Sequence, residues 1–186
     1  MRTVVIVDDS ESERKILKGF LEADGVYEVV AEGVNGDEAV NICRTKRPDL
    51  LLMDVKMPGK GGIEAAEEIS RTCPTPIVLL TASDDEETVK KAVEAGVMGY
   101  LLKPVRPEEL APAIELSLSR FLEIITLKKE KEDLKSALQS RKLVEKAKGL
   151  LMAREALTED EAFSRLRRIS MDRRKSMSEI AEVIIL

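Results

Sequence analysis

Val4-Val5-Ile6-Val7-Asp8-Asp9 and Leu50-Leu51-Leu52-Met53-Asp54 decide the fold of this 186-residue chain. Each is a short apolar run that stops on acid. Such runs, with no polar residue inside, suit strands buried on both faces of a parallel sheet. Three more segments read as strands. Tyr27 to Val34 reads as a second strand, Pro76-Ile77-Val78-Leu79-Leu80 as a fourth ending at Thr81, and Tyr100-Leu101-Leu102 as a fifth ending at Lys103-Pro104. Helical patterns lie between them. Ser10-x-x-Glu13 is a capping-box pattern for a helix carrying Ile16, Leu17, Phe20 and Leu21 and stopping near Gly25. Another helix spans about Asp37–Lys46 and ends before Pro48. A third runs through Ala65, Ala66 and Ile69 after the loop Pro58–Gly62. Ser83-x-x-Glu86 opens a fourth that ends at Gly96, and a fifth begins near Pro107. Strands alternating with helices predict an α/β fold: a five-stranded, doubly wound parallel sheet.

Ligands of such sheets bind beyond the carboxyl ends of the strands. Asp8 and Asp9, Asp54, Thr81 and Lys103 all fall there, each group ending its own strand. Three clustered carboxylates repel one another unless a cation lies between them, and hard oxygen donors suit Mg²⁺. A cation and a lysine beside one carboxylate make a niche for a phosphoryl group, with the carboxylate as nucleophile. The hydroxyl of Thr81 is then placed to bond phosphoryl oxygens. The chain has no histidine. That excludes a Ser-His-Asp triad, a histidine metal site and a phosphohistidine of its own. Two cysteines, Cys43 and Cys73, are too few for a disulfide framework or a four-cysteine zinc site. No apolar run approaches the ~18 residues of a membrane span, and the apolar stretch before Asp8 is too short for a secretory signal. A cytoplasmic protein is expected.

Charge divides the chain. Residues 1–120 hold 15 Lys and Arg against 23 Asp and Glu; residues 121–186 hold 15 against 12. An acidic front joined to a basic tail predicts an anionic partner for the tail. Ile114, Leu118, Phe121 and Ile125 mark one helical stripe after Pro112. Ile124, Leu127, Leu134 and Leu138 mark a second, with Lys131 interrupting it at heptad spacing. The second stripe fits a coiled coil with another copy, or packing against the chain's own tail. Two further capping boxes, Thr158-x-x-Glu161 and Ser176-x-x-Glu179, divide the tail after about residue 141 into three helices. The resulting organisation is an α/β domain over 1–120, a helical linker or coiled coil over 121–140, and a small all-α three-helix domain over 141–186.

VVIVDDS (4–10), LLLMDVKMPGKGG (50–62), IVLLTA (77–82) and GYLLKP (99–104) resemble the flavodoxin-like receiver domain of two-component response regulators. The resemblance implies that Asp54 accepts phosphate from a cognate histidine kinase. It implies that Asp8, Asp9, Asp54 and the backbone carbonyl of Lys56 serve Mg²⁺, and that Lys103 pairs with the phosphoryl group. Thr81 and Tyr100 match the switch pair, in which the hydroxyl moves toward phosphate and the ring turns inward. The Lys103–Pro104 bond is a candidate cis peptide. No turnover beyond slow self-dephosphorylation is implied. The D-x-D pattern of haloacid-dehalogenase phosphatases is absent after the first strand, and no P-loop or G-x-G-x-x-G occurs.

The stretch 142–174, with KAKGLLM (146–152), TEDEAF (158–163) and Leu166-Arg167-Arg168 before Ser170-Met171, resembles the ANTAR domain, a three-helix RNA-binding module of transcription antiterminators. It implies binding to RNA stem-loops, with homodimerisation on phosphorylation as the expected control. Lys146, Ala147, Lys148, Gly149, Phe163, Arg167, Arg173 and Arg174 are the candidate RNA-facing residues. Small Ala147 and Gly149 would let backbone approach RNA, or would serve helix packing. Phe163 is the one aromatic of the three-helix segment, so a sheet of stacking rings is excluded. A DNA-binding response regulator is the rival reading; it needs a recognition helix offered to a major groove. A natural chain extending past Leu186 stays open.

Overall fold

The computed structural model describes residues 1–23, 25–82 and 85–186. These form β1 (Arg2–Val7), α1 (Glu11–Glu22), β2 (Tyr27–Gly33), α2 (Gly36–Lys46), β3 (Leu50–Asp54), α3 (Gly62–Thr72), β4 (Ile77–Thr81), α4 (Glu86–Glu94), β5 (Gly99–Leu102), α5 (Pro107–Glu155), α6 (Glu159–Arg173) and α7 (Met177–Ile185). The chain divides into two compact units, residues 1–124 and 125–186, and α5 contributes to both.

In the first unit the five strands are all parallel, in the order β2-β1-β3-β4-β5. The order reverses between β1 and β3, which puts a crevice at their carboxyl ends. Side chains alternate across the sheet with period two. Val5, Val7, Leu51, Met53, Ile77 and Leu79 meet Ala39, Val40 and Cys43 of α2 and Ala65, Ala66 and Ile69 of α3. Val4, Ile6, Leu50, Leu52, Val78 and Leu80 meet Leu17 and Leu21 of α1 and Leu110 and Ile114 of α5. Each large aliphatic side chain so buried contributes about 1.5–3 kcal/mol. Two cores back to back therefore hold the strand ends rigidly in place, which is what a site built from five strands needs.

Helix ends follow the sequence in part. Asn35 caps α2 through Glu38 N, and the second unit closes two full capping boxes, Thr158 with Glu161 and Ser176 with Glu179. Of the Ser83-x-x-Glu86 box, Ser83 lies outside the described residues; Asp85 caps α4, accepting from Thr88 N at 2.8 Å. The helix α5 runs through Pro112 and Gly149, the two residues that bracket the uninterrupted stretch in the sequence. Pro112 lies near its start on an exposed position, where water can serve the carbonyl that loses its N–H partner. Gly149 costs the helix some backbone entropy but meets no steric obstacle.

The second unit packs Ala147 and Leu151 of α5 against Ala162 and Leu166 of α6 and Ile180 and Ala181 of α7. Along α5 residues 122–139 are exposed, including Ile124, Leu127, Leu134 and Leu138.

Candidate functional site

The rim at the carboxyl ends of the strands assembles as the strand-end pattern predicts. Asp8 follows β1 and is fully buried; Asp9 beside it is exposed; Asp54 ends β3 with 7% exposure. One carboxylate oxygen from each of the three lies within 4.8 Å of the others. Backbone bonds fix them: Asp8 N donates to Gly33 O at 3.1 Å and Val55 N to Leu80 O at 2.9 Å. Ser10 N donates to Asp8 Oδ1 at 2.8 Å, and Lys56 N to Asp54 Oδ1 at 3.3 Å. Gly62 opens α3 directly against β3, and a Cβ there would sit 2.1 Å from the Asp54 carbonyl oxygen. Only glycine permits that approach.

Lys103 is the hub. Its ammonium lies 2.7 Å from Asp8 Oδ2, 2.9 Å from Asp54 Oδ2 and 2.5 Å from Glu13 Oε2. Burial disfavours its charge, but the bonds to Asp54, Asp8 and Glu13 prevail and hold it above the ordinary lysine range. The Lys103–Pro104 bond is cis, and Lys103 N donates to Thr81 O at 2.8 Å, which ties β5 to the end of β4. Thr81 is buried at that end, and Tyr100 on β5 is half exposed.

Glu13 is a further member of this site. Its sequence context reads as a capping box, and only half of that box forms. Ser10 Oγ accepts from Glu13 N at 3.4 Å, but Ser10 N is engaged by Asp8, and the Glu13 carboxylate goes to Lys103 instead. The available signal was position: Glu13 stands one helical turn beyond the Asp8–Asp9 pair, at the end of α1 that meets the rim. Arg14 adds a second tie, donating to Asp8 O at 2.7 Å and to Glu32 at 3.1 Å.

In the second unit the candidate residues separate. Lys146, Gly149, Arg167, Arg173 and Arg174 are exposed, and Phe163 is 44% exposed. Arg174 occupies the left-handed C-cap of α6 at φ 51°, where glycine is the usual resident. Gly149 has open space around its Cβ position, so close approach to a ligand remains available there. Ala147 is fully buried among Leu151, Ala162 and Leu166, so of its two readings the packing one holds. Lys148 is almost wholly buried. Its ammonium lies 2.7 Å from Glu159 and 2.9 Å from Glu145, joining α5 to the start of α6. Those bonds raise the Lys148 pKa and lower that of Glu159.

Fold and rim together define a receiver-type α/β domain with an acid–lysine pocket, followed by an all-α unit. Comparison with known proteins agrees with both parts. Residues 4–115 match the response regulator receiver domain and residues 132–185 the ANTAR domain. The transcriptional regulatory protein PdtaR of Mycobacterium tuberculosis is 46% identical over 184 residues, covering 99% of this chain and 89% of that protein. LiaR of Bacillus subtilis is 41% identical over 115 residues, 61% of this chain and 54% of its own. Among solved structures, the signal receiver domain of NarL from Mycobacterium tuberculosis superposes with a TM-score of 0.61 at 30% identity, covering 63% of this chain and 96% of that one. The chain therefore belongs to the response regulators that join a receiver domain to a C-terminal ANTAR domain.

Proposed function

We propose that the chain is a phosphorylation-controlled regulator that binds RNA stem-loops and acts as a transcription antiterminator. The observation that carries the reading is the Lys103 ammonium 2.9 Å from Asp54, in a pocket that also gathers Asp8 and Asp9. Asp54 is the phosphoacceptor and a cognate histidine kinase the donor. Lys103 meets the charge that develops on the phosphoryl oxygens. Thr81, buried at the end of β4, and Tyr100, half exposed on β5, form the switch pair. Response regulators of this kind are in general signal transducers rather than enzymes; slow self-dephosphorylation is the one turnover proposed.

The donor set fits Mg²⁺: hard carboxylate oxygens close together, beside a single ammonium that cannot neutralise them all. Asp9 and Asp54, with Asp8 and the Lys56 carbonyl, would hold it. The ion supplies positive charge against the incoming phosphoryl group.

The exposed basic residues of the second unit support the RNA reading. Lys146, Arg167, Arg173 and Arg174 provide phosphate contacts, Phe163 one stacking surface, and Gly149 a place for close approach. Ala147 and Lys148 act from behind, by holding α5 and α6 together. The exposed stripe Ile124, Leu127, Leu134 and Leu138 is the seam proposed for a homodimer formed on phosphorylation. The relative PdtaR is named as a transcriptional regulatory protein, which agrees with an output on transcription.

Binding of the full chain to a two-hairpin RNA and to duplex DNA of equal length, before and after phosphoryl loading, tests this reading. Tighter, steeply salt-dependent binding to the RNA after loading is expected, weakened by Arg173→Ala. Absent or salt-insensitive RNA binding, or a preference for the duplex, refutes it.

A further inference from the structure

The diverted carboxylate of Glu13 has a role that a helix cap does not explain. An ammonium has three donors. Lys103 faces three carboxylates, Asp8, Asp54 and Glu13, all within 2.9 Å. A phosphoryl group on Asp54 brings oxygens bearing about −1.5 to −2 charges, which need one of those donors. The donor that faces Asp54 Oδ2 passes to them as that carboxyl loses its charge, and a second bond needs Asp8 or Glu13 to let go. Asp8 is fully buried, and releasing it would leave its carboxylate to a cation alone, with no water to take the place of Lys103. The Glu13 side chain is 44% exposed, so water replaces Lys103 at little cost.

We propose that Glu13 is a positioning residue that restrains Lys103, so that full pairing of the ammonium with a phosphoryl group on Asp54 draws it away from Glu13. This rests on Asp54 being the phosphoacceptor. Glu13 opposes loading and hastens its reversal, because it binds Lys103 only in the state without the phosphoryl group. Its backbone keeps the Ser10 cap whether or not the carboxylate is present, since that bond uses Glu13 N.

Phosphoramidate serves as the donor in the test. An Asp54 carboxylate oxygen bonds to phosphorus as the P–N bond breaks. The nitrogen, already protonated in the phosphoramidate zwitterion, leaves with the bonding pair as ammonia, and Lys103 keeps its protons. Loading of the full chain with Mg²⁺ present is followed by mass spectrometry for wild type, Glu13→Gln and Glu13→Asp. Beryllofluoride affinity is measured on the same three proteins, as a readout that needs no reaction. Glu13→Gln should load roughly twofold to fivefold faster and bind beryllofluoride tighter by a similar factor, the range open to a partly exposed ion pair. Glu13→Asp, which keeps the charge, should stay near wild type. A normally loading wild type beside a Glu13→Gln that loads no faster, or a Glu13→Asp that changes as much as Glu13→Gln, overturns the proposal alone. A wild-type chain that takes up no phosphoryl group overturns it together with the role given to Asp54.

Discussion

Among the described residues, Lys103 and Lys148 keep most of their side chains from water, and both are clamped by carboxylates. Lys103 in the first unit gathers Asp8, Asp54 and Glu13 from two different places on the chain, at the end of a rigid sheet. Lys148 in the second gathers Glu145 from its own helix and Glu159 from the first turn of the next. The chemistry within reach separates them. Around Lys103, one further acid, Asp9, crowds the same pocket and the Asp54 carboxylate sits at a strand end with its backbone fixed, so the excess negative charge invites a cation and a phosphoryl group. Around Lys148, the partners are surface glutamates and the cluster pins two helices. Burial and pairing of a lysine thus do not by themselves mark a site; the surplus of charge left after pairing does.

Exchanging the roles should fail in both directions. Lys103→Ala is expected to slow phosphoryl loading by about 10²–10³-fold, the usual loss of a fixed cation at a developing charge. Kinetics with a small phosphodonor check this. Lys148→Ala should leave loading unchanged and lower the thermal transition of the helical unit, read from amide exchange in α6 and α7. Loading that responds equally to both substitutions would erase the distinction.

The capping boxes carry the same contrast. Ser10-x-x-Glu13, Thr158-x-x-Glu161 and Ser176-x-x-Glu179 look alike in sequence. The last two close completely, while the first gives its glutamate to Lys103. A local motif is legible where nothing competes for its side chains. Near the rim a largely buried ammonium competes and wins, because it offers the carboxylate a full opposite charge and Ser10 N is already engaged by Asp8. For the same reason the strands, their order of polar ends and the pocket residues Asp8, Asp9, Asp54, Thr81 and Lys103 were readable from short apolar runs, whereas the membership of Glu13 was not. In the tail, spacing located the helices but not which small or basic residues face inward. Ala147 and Lys148 adjoin Lys146 and Gly149 in sequence, and only packing separates the buried pair from the exposed one.

The smallest effect expected concerns acid. Glu161 and Glu179 accept from the backbones of Thr158 and Ser176, and Glu159 from Lys148; each carboxyl is thereby held below its ordinary 4.5. The unfolded chain then binds protons more readily than the folded one, so these contributions are complete above pH 4.5 and fade as the pH falls through the lowered values. Glu161→Gln keeps the capping geometry but not the charge, and should lower stability slightly at neutral pH and flatten the acid dependence of melting for α6, meeting wild type in acid. An unaltered acid slope would show that the carboxylate contributes nothing there.

The central claim is that Asp54 becomes an acyl phosphate. Peptide mapping by mass spectrometry after incubation with phosphoramidate and Mg²⁺ tests it most directly. The account predicts one phosphoryl group per chain, on the peptide containing Asp54, labile to hydroxylamine and absent from Asp54→Asn. A chain that stays unmodified, or one that carries its phosphoryl group elsewhere, would contradict it.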